Sequence, residues 1–104
     1  MKQLIPLLVA VASVCASGAA FADADATLNK AGCMACHAKD KKLVGPSFKD
    51  IAVKYKDQDA SAKLFDKVRK GGSGSFGPIP MSPNGPDKIS DTELKEVIAS
   101  ILKS

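Results

Sequence analysis

The chain has 104 residues, with 15 Lys and Arg against 11 Asp and Glu, a formal charge of +4 and 45% hydrophobic residues. That length holds one small domain. A mildly basic balance with no bases interleaved among aromatics excludes the strong cationic field of a nucleic-acid binder, and four Phe, one Tyr and no Trp leave little material for a closed core.

Met1, Lys2 and Gln3 make a short positive start, and Leu4 to Val14 is almost wholly apolar. Ala20-Phe21-Ala22 then places alanines at the third and first positions before a cut. This is the order of a secretory signal peptide, residues 1–22, cleaved after Ala22. The alternative is an uncleaved anchor. Leu4 to Ala22 is 19 residues, just long enough to span, but its last third is small and weakly apolar. Cys15 falls in the leader behind Val14, which is not the small residue that a lipoprotein cut wants. The exported part is then a single domain, residues 23–104, expected in the periplasm. Without Lys2 its bases fall to 14 against 11 acids, a balance of +3. So small a domain often needs a disulfide, a metal or a cofactor at its centre.

A first helix is expected from about Asp25 to Ala31, with Asp23 or Asp25 at its positive end. The cysteine motif follows at once. Pro46 suits the first turn of a second helix, and Phe48, Ile51, Ala52 and Tyr55 recur at i, i+3, i+4 and i+7. A third helix is expected from Ala60 to Lys70, capped by Asp59 and ended by Gly71-Gly72, with Leu64, Phe65 and Val68 as its apolar face. The stretch "GGSGSFGPIPMSPNGP", Gly71 to Pro86, is too rich in glycine and proline for regular structure. It carries Phe76, Ile79 and Met81, which a solvated linker does not need, so it is expected to pack as a functional loop. Ser90 and Glu93 make a capping box, with Ile89 and Leu94 as a hydrophobic staple. Leu94, Val97, Ile98, Ile101 and Leu102 form the stripe of the last helix. No segment reads as a strand, so the fold class is all-α.

Cys33-Met34-Ala35-Cys36-His37 is Cys-x-x-Cys-His, the attachment motif of c-type haem. The two sulfurs of Cys33 and Cys36 add to the two vinyl groups, and His37 puts its imidazole under the iron. The competing readings each lack something. A structural zinc site wants four protein ligands, and an iron–sulfur cluster usually wants four cysteines. A redox dithiol belongs near a βαβ pattern. A plain disulfide over so short a loop constrains little of the unfolded chain. His37 is the only histidine of the chain, so a second axial ligand has to be of another type. Methionine is the common one in cytochromes c. Met1 leaves with the leader and Met34 lies between the anchoring cysteines, which leaves Met81. The competing role for Met81 is filling a gap in the core.

On "AGCMACH", "LVGPSFKDIAVKY", "KGGSGSFGPIPM" and the closing amphipathic helix, the chain resembles the small bacterial class I c-type cytochromes of the cytochrome c-551/c-552 group. The resemblance implies about four helices wrapped around one covalently attached haem c, the first and last packed across each other. It implies His37 and Met81 as the axial pair, a Pro46 carbonyl that accepts a hydrogen bond from the His37 ring, and Gly32 and Leu28 where the first helix meets the last. Around the haem propionates the family's arginine appears as Lys67, with Arg69 close by. A common tryptophan is replaced by Phe76, another in the last helix by Ser100, and the proline after the ligand methionine by Ser82.

The expected function is a soluble one-electron carrier, not an enzyme, working between respiratory complexes or towards a terminal reductase or oxidase. The alternative is a haem enzyme or gas-binding sensor with a labile Met81. The expected partners are redox proteins with acidic docking surfaces, such as a bc-type complex, a nitrite reductase or a terminal oxidase, steered by Lys30, Lys39, Lys41, Lys42 and Lys88. A monomer is expected, with no nucleic-acid partner and no stable membrane insertion once the leader is removed.

Overall fold

The computed structural model describes residues 19–104, with side chains from residue 23. Most of the expected leader, including Lys2 and Cys15, lies outside the described residues. Four helices follow in order: α1 Ala19–Lys30, α2 Phe48–Lys54, α3 Ser61–Lys70 and α4 Asp91–Ile101, with a 3-10 turn at Cys33–Ala35 between α1 and α2. Among the described residues, β-type pairing is confined to two isolated bridges, His37 with Lys42 and Gly72 with Met81. The fold is all-α.

Helix α1 begins earlier than the sequence pattern places it. Alanine is the strongest helix former, and the alanine-rich run into Asp23 carries the helix back to Ala19. The bond after Ala22 therefore lies inside α1. Asp23 and Asp25 sit past the first turn, and Asp25 instead meets Lys39 at 2.9 Å. Gly32 ends this stretch with φ 81°, a left-handed backbone that favours glycine. It is not a contact between helices: a Cβ there would meet no atom within 4 Å.

Helix α2 starts at Phe48, two residues later than Pro46 would set it. Ser47 is the cap, and its hydroxyl accepts from the Asp50 N–H at 3.0 Å. Helix α3 starts at Ser61 behind Ala60, which makes no side-chain cap bond. Asp59 stands one position too early to reach the free N–H groups of the first turn. Gly71 ends α3 with φ 69°. Helix α4 has the expected capping box: the Glu93 N–H donates to Ser90 Oγ at 3.2 Å, and the Ser90 N–H donates to Glu93 Oε1 at 3.1 Å.

Helix α4 is the hub. The other three helices all pack on it, α1 most extensively. Ala24 and Leu28 of α1, Phe48 of α2, and Ile89, Leu94, Val97 and Ile98 form one buried cluster. Ile51, Leu64, Phe65, Val68, Ile101 and Leu102 pack against it only partly buried. The half-burial of Ile51, Leu64, Val68 and Ile101 marks where the core faces a cleft. Among the described residues no helix is long and apolar enough to cross a membrane.

The capping box carries a pH dependence. Hydrogen bonds from the Ser90 backbone, and then its side chain, hold the Glu93 carboxyl below its ordinary range. A carboxylate depressed in the folded state stabilises above its unfolded pKa of about 4.3, and that share is lost as pH falls through the lower folded value. Ser90→Ala is expected to cost about 1 kcal/mol at neutral pH. Thermal melts at pH 7 and pH 3 check this, and the deficit should shrink at pH 3.

Candidate functional site

A cleft of about 570 Å³ opens beside the core, within the about 300–1,000 Å³ usual for a small-molecule or cofactor site. Leu28, Phe48, Leu94, Val97 and Ile98 reach its inner side. Cys33, Cys36, His37 and Pro46 line it from one segment, and Gly72 to Ser82 from the other. All four residues expected to attach and ligate a haem, Cys33, Cys36, His37 and Met81, thus line one apolar space.

The cysteine turn sits directly behind α1. The His37 N–H bonds to the Cys33 carbonyl at 3.0 Å, and the Gly45 N–H bonds to the Cys36 carbonyl at 2.7 Å, so the following loop folds back on the motif. Neither cysteine is in a disulfide, and Cys33 is half-buried and Cys36 exposed. Burial pushes the Cys33 thiol pKa up, opposed by a hydrogen bond from its own backbone and helped by neighbouring Cys36. Among the described residues no group of three or more His, Cys, Asp or Glu side chains converges on a metal site. A zinc reading would have to supply its remaining donors from outside that set.

His37 is held on three sides. Its Nδ1 donates to the Pro46 carbonyl at 2.7 Å, which places the proton on Nδ1 and leaves the lone pair on Nε2. Its ring stacks on Phe48 with centroids 5.4 Å apart and planes at 21°. Gly45 lies against the ring edge, and a Cβ there would come within 2.6 Å of His37 Cε1. Gly45 was not picked out from the sequence; the signal available is a glycine immediately before the proline whose carbonyl faces the histidine.

Met81 is held by its backbone. The Gly72 N–H donates to the Met81 carbonyl at 2.9 Å, and the Met81 N–H donates to the Gly72 carbonyl at 2.8 Å. Gly71 makes this approach possible, because a Cβ on it would overlap the Met81 carbonyl and come within 2.9 Å of Pro83 N. The sequence reading took Gly71-Gly72 only as a helix stop. Asn84 continues the clamp: its N–H donates to the Val68 carbonyl at 2.9 Å, and its side-chain amide to the Ser82 carbonyl at 2.9 Å. Ser82 in place of a proline therefore keeps its carbonyl in a firm contact.

The residues expected around the propionates separate. Lys67 lines the cleft near Gly72. Phe76 lines it too, edge-on to the Tyr55 ring at 6.5 Å and 71°. Lys54 lies over Phe76 at 4.4 Å and donates to the Ser75 carbonyl, a contact that the sequence did not disclose. Arg69 does not join the cleft. Its guanidinium donates to the Ile89 carbonyl at 2.8 Å, the Asn84 carbonyl at 3.2 Å and Asp91 Oδ1 at 2.6 Å. Those three acceptors at the entry to α4 use its fork of donors, so it ties the loop to α4 instead.

The residues present fit a haem. Two thiols and an imidazole nitrogen with its lone pair share a cleft with a thioether, the remaining lining is mostly apolar, and Lys67 is there to meet an acid group. Comparisons with known proteins agree. The family model described as "Cytochrome C oxidase, cbb3-type, subunit III" matches residues 19–100. The chain is 51% identical to cytochrome c2 of Rubrivivax gelatinosus over 76 residues, 72% of this chain and 89% of that one. It is 40% identical to cytochrome c-551 of Pseudomonas aeruginosa over 96 residues, 91% of this chain and 89% of that one. Among solved structures, wild-type Nitrosomonas europaea cytochrome c552 superposes with a TM-score of 0.69 at 42% identity, covering 75% of this chain and 95% of that one.

Gly71→Ala tests the clamp on Met81. A side chain at this positive φ, placed against the Met81 carbonyl, is expected to cost more than about 1 kcal/mol. Hydrogen exchange at the Gly72 and Met81 amides should accelerate together. Unchanged exchange at both would show that the bridge does not hold the loop.

Proposed function

The chain belongs to the small class I c-type cytochromes and is an electron carrier with one covalently attached haem c; on that premise we propose that Cys33, Cys36, His37 and Met81 are the residues that attach and ligate it. The observation that carries this assignment is the single apolar cleft that gathers all four. Haem c, when bound, supplies a one-electron couple between ferrous and ferric iron.

The chain's own residues determine how that couple is used. Cys33 and Cys36 anchor through thioethers. His37 offers Nε2, oriented by the bond from Nδ1 to the Pro46 carbonyl. Met81 offers a thioether from the facing loop, a ligand that favours the reduced state. If His37 and Met81 both hold the iron, the chain would leave no position for a substrate, as suits a carrier and not an enzyme. The two-way bridge between Gly72 and Met81 supports this over a gas sensor, which needs its methionine to leave readily. Apolar walls around the site also disfavour the extra charge of ferric iron.

The signal peptide, residues 1–22, assigns the exported domain to the periplasm. There the carrier exchanges electrons with partner redox proteins that present acidic docking surfaces.

The test is the visible spectrum of the pure holoprotein with and without carbon monoxide, followed through a redox titration. A low-spin spectrum with the methionine–iron charge-transfer band, unmoved by the gas, is expected. Met81→Ala should lower the potential, abolish that band and admit carbon monoxide. If the variant leaves the band and the potential unchanged, Met81 is not the ligand.

A further inference from the structure

A group of sparsely neutralised positive charges near the cleft lies on α3 and the end of α2. Lys63, Lys67 and Lys70 recur at i, i+4 and i+7 along α3, so they share one side of it. With Tyr55 and Ser75 they line a shallow depression of about 290 Å³. Lys54 joins them, donating to the Ser75 carbonyl and lying 5.9 Å from the centre of the Tyr55 ring. Lys63 reaches the same ring at 5.4 Å. The one acid in the lining, Asp66, is 3.9 Å from Lys70 with both side chains exposed, a contact worth little. Among the described residues no carboxylate is in ion-pairing reach of Lys54, Lys63 or Lys67.

Beside the cysteine segment Lys41 and Lys42 likewise have no carboxylate in ion-pairing reach among the described residues, but two other lysines there differ. Lys39 is paired with Asp25 at 2.9 Å, and the charge of Lys30 acts on Glu93. The depression on α3 also shares a wall with the cleft, since Tyr55, Leu64, Lys67 and Ser75 line both. Phe76, 39% exposed, extends that wall and stands edge-on to Tyr55.

We propose that Lys54, Lys63, Lys67 and Lys70 form an electron-transfer docking face for an acidic redox protein. The proposal rests on the carrier function and on charge complementarity: Lys54 and Lys63 lie over the Tyr55 ring, Lys54 also over Phe76, and Lys63, Lys67 and Lys70 line the depression beside Tyr55 with one carboxylate, Asp66. A partner's Asp and Glu side chains seated there lie against rings that themselves border the cleft. In the exchange one electron leaves the carrier as its iron passes from ferrous to ferric, and the partner's centre is reduced by that electron. No bond is made or broken and no proton moves. Such a face governs encounter rate and salt dependence more than affinity, as suits the small interfaces of electron-transfer encounters.

Reduced, isotope-labelled holoprotein titrated with hexacyanochromate(III), a paramagnetic trianion, locates the face. Amide signals of Lys63, Lys70 and Ser75 are expected to broaden first, and poly-L-glutamate should reverse the broadening. Broadening centred on Lys39 to Lys42, or at no defined place, overturns the proposal. The double variant Lys63→Glu with Lys70→Glu should abolish the broadening. It should also slow oxidation by ferricyanide roughly tenfold at low ionic strength, an effect that fades in about 1 M salt. The control is Lys39→Glu with Lys41→Glu, and an equal or larger slowing in it also overturns the proposal. A redox titration of the wild type separates the two levels. A reversible one-electron couple leaves the carrier function standing whatever the docking result, and its absence overturns both.

Discussion

The chain cannot close its own core, and the arrangement of its helices follows from that. The buried cluster is small, and Ile51, Leu64, Val68 and Ile101 around it stay only partly buried where they line the cleft. Apolar side chains that line an open cleft gain less than those fully removed from water, at about 25 cal/mol per Å² of surface covered. A planar apolar group seated there would cover that surface, and one anchored through thioethers would act as a built-in part of the core and not as a dissociable ligand. Seen this way, the haem is a large part of the hydrophobic core as well as the redox centre.

The two sides of the cleft are held by different means with the same economy of side chains. On the histidine side, Gly45 and the Pro46 carbonyl press on the His37 ring, and Phe48 lies behind it. On the methionine side, Gly71 and Gly72 let two stretches of backbone touch. Both depend on glycine where any Cβ would collide. Arg69 and Asn84 then tie the methionine loop to α3 and α4. Met81 is therefore positioned by main-chain contacts.

Much of this is legible in the sequence because it rests on local pattern. The Cys-x-x-Cys-His spacing, the apolar repeats of α2 and α4, and the Ser90 and Glu93 box are all short-range signals. The misplacements occur where distant residues decide. Arg69 belongs to the α4 entry because Asp91 and the Ile89 carbonyl arrive there only in the folded chain. Gly32 is demanded by its backbone angle and not by packing. Ser47 displaced Pro46 as the start of α2 because a hydroxyl satisfies a free N–H and proline offers none. Lys54 over Phe76 joins residues on separate elements, and no sequence spacing announces it.

The packing of α1 on α4 joins the two ends of the described chain. That contact closes the longest loop available, so its entropy cost falls early and its reward arrives late. Helix α4, the hub of the core, is also made after the other three helices. Until α4 has emerged, α1, α2 and α3 have nothing to bury their apolar faces against. A chain built this way gains its core only once its fourth helix has joined the other three.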